Sequence, residues 1–453
     1  MTIRAIAGLL VLHALIGCAG LAALYALRGF RTWTDVLRLA GVGYLLGLAA
    51  LGIAWTQLLV VGVPFGPVVI LATLVALFAG ALLVGRRRGM ERPRGWSLRS
   101  GSLGLIVGAV GIALAGLYAE ALFAAGRLQS LQAFDAWAFW TPKAEAIYHF
   151  GGLDEQVFTT AAGPSYPPLL PAIDAASFHA IGRADVVTLH LQFWVIAIAL
   201  VAALAGLLAV RVPAWLLWPL LLLVVVVPRI SGRLLIPQAD VLVDAFFAVA
   251  ALLVALWVRD GRGWRLVAAG VLLGGASLTK REGLLFAAVV VVAGLALAGW
   301  RAGTWKRLAM LATFVVAVGI PWRIWFSTRD LPSDAPSGIP DGAVDRALDA
   351  VRLSLRVFLD DGRWSVVPIL FAIAIAAAAI FGDRRLALYS GVLLGLVLLG
   401  GAWITFAFAE IPVTDDEAVN PIVRYTAAAI FLAGALTPLL LASVWRGRTE
   451  PSR

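Results

Sequence analysis

Asp135, Asp240, Asp244 and Glu282 are carboxylates placed where they could do chemistry, and Arg229, Arg233, Lys280, Arg281, Arg323 and Arg424 are cations that accompany them. Each sits at or beside the end of a long apolar run. Inside or beside a bilayer such groups cost a few kcal/mol unless they meet a partner or a polar cavity. A carboxylate there can take a proton from a hydroxyl. Arginine forks and lysine point charges suit phosphate oxygens. Charges from several separate places in the chain are expected to converge on one depth, which points to a polar cavity opening at one face.

Each residue also has a plainer role. Asp135 opens the aromatic segment Phe134-Asp135-Ala136-Trp137-Ala138-Phe139-Trp140, and by position it caps a helix starting at Ala136, a preferred place for aspartate. Trp137 and Trp140 read as interfacial anchors, and Lys143 and Glu145 as solvated charges at headgroup level, with phosphate binding by Lys143 as the alternative. Asp240 and Asp244 share one helix face at i, i+4 spacing. Pro237 suits the first turn and Asp240 the helix dipole, whereas Asp244, a turn deeper, needs a cation or a cavity. Lys280-Arg281-Glu282 is either a tight turn holding its own ion pair or a phosphate clamp. Arg424 opens a helix against the dipole, so it serves a ligand or an acidic partner. His13, His149, His179 and His190 lack metal-ligand spacing and read as structural, and no nucleotide-binding loop, nucleophile elbow or HExxH motif is present.

The elements that must hold these groups follow from composition. The 453 residues are 62% hydrophobic and 14% charged, against about 25% charged in soluble domains, and the apolar residues fall in unbroken runs. Runs of ~18 or more with few charges read as bilayer spans. The net charge of +10 therefore concerns loops and lipid headgroups; there is no basic stripe with interleaved aromatics for nucleic acid. The single cysteine, Cys18, excludes an internal disulfide. Leu15-Ile16-Gly17-Cys18 looks like a lipoprotein processing site, but the apolar run continues to Leu27, so Cys18 reads as an ordinary helix residue.

Hydropathy gives an all-α polytopic membrane protein with about thirteen spans, near 5–27, 39–62, 64–84, 102–126, 186–210, 213–228, 237–258, 265–280, 283–300, 307–326, 365–381, 387–409 and 422–445. Alternate connections, from Arg28 through Arg86-Arg87-Arg88 to the carboxy-terminal tail, hold 21 basic residues against five acidic ones. That face is cytoplasmic by the positive-inside rule, which puts the amino terminus outside. The long polar insertions 127–185, 327–364 and 410–421 then lie outside. Residues 341–360 space Val344, Leu348, Val351, Leu355 and Phe358 as an amphipathic helix lying on the outer membrane surface. The chain divides into 1–100, three spans and a basic loop; 101–445, a transmembrane core; and a tail at 446–453.

At these residues the sequence resembles the GT-C superfamily of polyprenyl-phosphate-sugar-dependent glycosyltransferases, in the branch of protein O-mannosyltransferases and lipid A aminoarabinose transferases. Asp135 matches the acidic base of that branch's first large outer loop. Tyr166-Pro167-Pro168-Leu169 is similar to its Pro-Pro-Leu element, and Ala239-Asp240-Val241-Leu242-Val243-Asp244 to its later acidic helix. Ser277-Leu278-Thr279-Lys280-Arg281-Glu282-Gly283 resembles its Lys-containing turn, and Pro321-Trp322 and Arg424-Tyr425 also match. The likeness runs over residues 100–445; the three spans before residue 100 have no counterpart in the minimal core.

The resemblance implies transfer of a sugar from a polyprenyl-phosphate carrier to an extracytoplasmic glycan, glycolipid or protein, with inversion at the anomeric carbon, by an enzyme integral to the cytoplasmic membrane. Asp135 is the expected general base. Lys280, Arg281, Arg323 and Arg424 are expected at the donor phosphate, and Tyr166, Asp240, Asp244, Glu282, Arg233 and Lys143 at the acceptor or cavity. No metal or other cofactor is expected as such, though Asp240 or Asp244 could hold a divalent cation through oxygen ligands. The alternative is a transporter or flippase for a lipid-linked or anionic solute, with Asp244 and Arg233 as a relay. Sites near the midplane and repeated halves would mark that class, and neither is visible in the sequence.

Overall fold

A computed structural model describes residues 1–97, 101–298, 302–329, 331–332, 343–407, 413–414 and 422–449, with backbone alone at 302 and 447–449. Most of the expected loop 410–421, and residues 333–342 of the loop 327–364, lie outside the described residues.

Every described regular element is helical. The chain starts with α1 (Ile3–Arg28), α2 (Trp33–Arg38), α3 (Ala40–Val60), α4 (Pro67–Arg87) and α5 (Ser102–Gly126). A π-helical turn, Ala136–Trp140, then leads into α6 (Thr141–Phe150), α7 (Glu155–Thr160), α8 (Leu169–Ile181) and α9 (Val186–Leu208). Next come α10 (Ala214–Val225), α11 (Pro228–Arg233), α12 (Ala239–Asp260), α13 (Gly263–Thr279), α14 (Glu282–Ala298) and α15 (Ala302–Ser327). The chain ends with α16 (Ala343–Phe358), α17 (Asp361–Trp364), α18 (Val367–Phe381), α19 (Arg384–Ala407) and α20 (Ile422–Thr449).

Among the described residues nine helices are long and apolar enough to cross a bilayer: α1, α3, α4, α5, α9, α12, α15, α19 and α20. This is the make-up of a multi-pass membrane protein, because a helix satisfies its own backbone hydrogen bonds in lipid. The other four expected spans are helical but shorter: α10 has 12 residues, α13 and α14 have 17 each, and α18 has 15. Cys18 lies within unbroken α1, exposed on its surface. Helix α20 continues to Thr449, past the start of the expected tail at 446.

Helix α12 is the centre of the bundle: from Ala239 to Trp257 every side chain is buried, with α9, α13, α14 and α20 around it. At the other extreme, α5 buries only Gly111, Leu122 and Gly126. The first hundred residues pack directly on the rest, with α1 and α3 against α8 and α9. Small residues let α1 and α3 cross closely: a Cβ on Gly20 would stand 1.8 Å from the Gly43 carbonyl oxygen.

Helix α16 is amphipathic as expected and packs one side on the bundle. The Arg346 guanidinium donates to the carbonyls of Thr405 (2.7 Å) and Phe406 (3.1 Å), and the Ser354 hydroxyl to Leu398 (2.8 Å). Eight residues along α16 thus match eight along α19 in the opposite direction. The helix runs beside the end of α19 with Leu353, Val357 and Phe358 buried, while Val344, Leu348 and Leu355 stay exposed.

Candidate functional site

The hairpin between α13 and α14 places the central cation. Lys280 leaves the helix in extended backbone, and the Gly283 amide donates back to its carbonyl at 3.0 Å. Only glycine fits at 283, since a Cβ there would meet the Ala276 carbonyl oxygen at 2.0 Å. The turn aims Lys280 Nζ at Asp240 Oδ1 (2.9 Å) and Glu282 Oε1 (3.2 Å), with Lys280 and Asp240 both almost fully buried. The sequence anticipated the Lys280–Glu282 pair; Asp240, 40 residues away, completes it.

Asp135 does not cap the π-helical turn: its backbone is already helical and its side chain makes no capping bond. Instead both its carboxylate oxygens face the Arg424 guanidinium, one in a short bond to Nη1 and the other 3.4 Å from Nη2. A bidentate cation holds the carboxylate more firmly than one backbone amide at a cap. Arg424, Lys280, Asp240, Asp244, Glu282, Phe286 and Tyr425 line one small pocket. Helix α12 begins at Ala239, two residues past Pro237, and carries Asp244 buried one turn below Asp240. Arg233, buried at the end of α11, acts electrostatically on both aspartates.

Tyr166 roofs the cluster. Its ring stacks on Phe139 (centroids 6.0 Å apart) and lies under the Lys280 ammonium (6.0 Å) and the Arg281 guanidinium (5.5 Å). Burial pushes its hydroxyl well above the usual tyrosine value, aided by the nearby Glu282 carboxylate, so it is a donor rather than a base. With Arg233 and Arg281 included, four carboxylates (Asp135, Asp240, Asp244, Glu282) meet four cations.

Three expected placements are corrected. Lys143 is not a solvated headgroup charge: it is fully buried, donates to the Gly163 carbonyl at 2.5 Å and lies 4.9 Å from the Phe158 ring centroid. Its stem fills the space under the 151–166 loop, and that packing outweighs the pull of water on its charge. Arg323 is exposed and is not among the residues lining the cluster's pocket; on α15 it is Trp322 and Trp325 that turn inward, packing on Phe158. Trp140 is fully buried, its ring 5.5 Å from that of Tyr166, whereas Trp137 stays exposed.

The pocket enclosed by the cluster holds only about 10 Å³, about the room one water needs. Beside it an apolar cleft of about 470 Å³ lies between α14, α16 and α19, lined by Leu285, Val289, Val351, Leu399, Trp403 and Phe406 among others. Leu285 is one turn from Glu282, so the cleft starts where the charges end. Nothing in the sequence distinguished these apolar residues from other apolar residues. The sequence also gave no notice of a buried triad in which Gln192 Nε2 donates to Asp174 Oδ1 and the Ser177 hydroxyl to Gln192 Oε1, each at 2.6 Å. An acidic residue within the short apolar α8 was its only signal.

Two of the four histidines pack into the fold through hydrogen bonds: His13 Nδ1 meets the Tyr44 hydroxyl at 2.8 Å, and His190 Nδ1 the Val186 carbonyl at 2.7 Å. Among the described residues no three His, Cys, Asp or Glu side chains are grouped as metal ligands would be, and Asp240 is occupied by Lys280.

Fold and site together define an all-helical membrane protein with a charge-balanced cluster at one end of its bundle and an apolar cleft beside it. Comparison with protein-family models, with curated proteins and with solved structures gave no match.

Proposed function

We propose that this protein is a GT-C-type membrane glycosyltransferase that moves a sugar from a polyprenyl-phosphate donor to an acceptor hydroxyl on the extracytoplasmic side. The observation that carries this reading is the Asp135–Arg424 pair: it joins a carboxylate to the pocket of Lys280, Glu282 and Tyr425, next to a cleft with apolar walls. A base, phosphate-binding cations and a greasy channel are the three things such a donor requires.

In this reading the donor phosphate draws Arg424 to itself and frees Asp135. Asp135 takes the acceptor's hydroxyl proton as the new carbon–oxygen bond forms on the face opposite the phosphate. The anomeric carbon–phosphate-oxygen bond breaks with its electron pair going to the phosphate. Lys280 and Arg424 meet that charge, so the leaving group needs no proton. Asp240 and Glu282 hold Lys280 in place, Arg281 packs over Tyr166, and the prenyl chain lies between α14, α16 and α19. The small pocket must open for any of this, with Tyr166 and Arg424 moving first.

The same reading takes all thirteen apolar helices as spans, with the arginine-rich end cytoplasmic and the amino terminus outside. Transport is favoured less, because the charged cluster sits at the ends of α12, α13 and α20 rather than halfway along them.

The test is consumption of radiolabelled polyprenyl-phosphate sugars by the reconstituted protein, wild type against Asp135→Asn. Loss of a base lowers the rate ~10²–10⁴-fold. A folded Asn variant that turns over a donor as fast as wild type would sink the assignment.

A further inference from the structure

A second recess lies at the end of the bundle opposite the charged cluster. A cavity of about 1450 Å³ lies among the ends of α1, α2, α4, α9 and α13. Nine arginines line it against two carboxylates, Asp35 and Glu91. Just outside the lining, Asp260 pairs with three of the nine: Arg211 (3.0 Å), Arg262 (3.6 Å) and Arg265. Asp35 serves both Arg38 (2.6 Å) and Arg28 (3.2 Å). Counting Asp260, six more cations than anions meet in one recess.

Two plainer explanations cover part of this. Arginines at helix carboxy-termini satisfy orphan carbonyls: Arg38 donates to Gly206, Arg88 to Ala26 and Arg265 to Leu256, each at 2.9 Å. A carbonyl supplies no full negative charge, and each guanidinium carries five N–H donors, more than these carbonyls take up. Membrane topology also favours basic residues on one side, but exposed ones would serve. Here the Arg265 side chain is 3% exposed and that of Arg28 14%. Both keep a buried nitrogen without a partner, Nη1 on Arg28 and Nε on Arg265. Buried donors of this kind are left for something.

The walls say what kind of ligand. Phe30 and Trp264 receive the Arg28 cation at 5.4 and 5.6 Å, and Leu27, Leu207, Val210 and Val267 supply apolar surface beside them. Val210 and Val267 are half exposed or more, where the bundle surface meets the cavity mouth.

We propose that this cavity binds a phosphate group, with the guanidiniums of Arg28, Arg38, Arg211, Arg262 and Arg265 around its oxygens. It is carried by the headgroup of an anionic membrane lipid or by a soluble phosphate compound. The inference stands apart from the transferase reading, because it uses residues at the other end of the bundle.

The test uses the full chain in detergent, with native mass spectrometry of retained phosphatidylglycerol against phosphatidylcholine and, in a second arm, binding of inorganic pyrophosphate. Two variants accompany wild type. Arg28→Gln removes one of the buried donors, and the triple change Arg31→Gln, Arg92→Gln and Arg262→Gln strips charge from the more exposed wall without touching a buried pair. Unfolding temperature in plain detergent reports folding. Wild type should retain phosphatidylglycerol, bind pyrophosphate, or both, and each folded variant should lose roughly tenfold in that binding. Preference for phosphatidylglycerol with no pyrophosphate binding assigns the phosphate to lipid; pyrophosphate binding with no lipid preference assigns it to a soluble compound. The proposal is overturned if wild type binds neither probe better than phosphatidylcholine, or if the folded triple variant binds as tightly as wild type.

Discussion

Helix α12 ends in two different electrostatic arrangements. At its start, Asp240 and Asp244 belong to a buried cluster in which carboxylates and cations are equal in number. At its finish, roughly 33 Å away at 1.5 Å per residue, Asp260 is one of a few anions among many arginines. A balanced, desolvated cluster loses stability when either sign is removed, because the partner is left buried and alone. A cluster with surplus cations loses stability only when an anion goes; a cation near its edge can leave at little cost. The first arrangement is a closed, pre-formed set of charges, and the second is an incomplete one that an outside anion completes.

The largest expected effect lies in the balanced cluster. Asp240→Ala takes away the nearer of the two carboxylates on the buried Lys280, leaving it Glu282 alone, and should destabilise the protein by about 3 kcal/mol, and Lys280→Ala should cost a similar amount. Asp240→Ala with Lys280→Ala should cost clearly less than the sum, read as unfolding temperature and unfolding rate in detergent. Additive single effects would mean that the two groups do not hold each other. At the other end the comparison predicts asymmetry. Asp260→Asn leaves the buried Arg265 without its carboxylate and should cost about 1–3 kcal/mol, while Arg262→Gln, at a half-exposed position, should change stability by no more than about 0.5 kcal/mol. Equal losses from Asp260→Asn and Arg262→Gln would break the contrast between the two ends.

What the sequence revealed follows the same physics. A span is a property of local composition, and a helix forms at each of the thirteen apolar stretches expected. Charges at helix ends were legible too, since lipid leaves few reasons to keep them. Their partners were not. Asp135 and Arg424 lie 289 residues apart, and position alone favoured a helix cap that the bidentate arginine supplants. Lys143 was misread because a lysine near an expected membrane surface suggests water, whereas a carbonyl and an aromatic face enclose it. Arg323 was misread because its neighbours Trp322 and Trp325 own the inward face of α15. The apolar cleft was illegible for the opposite reason: where most residues are apolar, none marks a groove.

The smallest predicted effect sets one aspartate at each end against the other in acid. Asp35 lies in the first turn of α2 and lines the basic cavity, and Asp185 caps α9 at the other end, accepting from the Thr188 amide at 3.1 Å. Burial works to raise the pKa of each. At Asp35 the hydrogen bond from Arg38 and the charge of Arg28 overcome it, and at Asp185 the bonds from Arg183 and Thr188 do, so both stay below the usual aspartate value. A carboxylate depressed in the folded state stabilises it at pH values above its unfolded pKa of about 4. That contribution disappears as pH falls through the lower folded value. Both ends should therefore weaken as pH falls below about 4. Protonating Asp35 removes the shared counter-charge of two arginines inside a cation-rich recess, whereas protonating Asp185 frees one exposed arginine and weakens a cap worth ~1 kcal/mol. Unfolding temperature followed across that range should flatten more with Asp35→Asn than with Asp185→Asn. A greater flattening from Asp185→Asn would show that surplus cations at the basic end do not set its acid sensitivity.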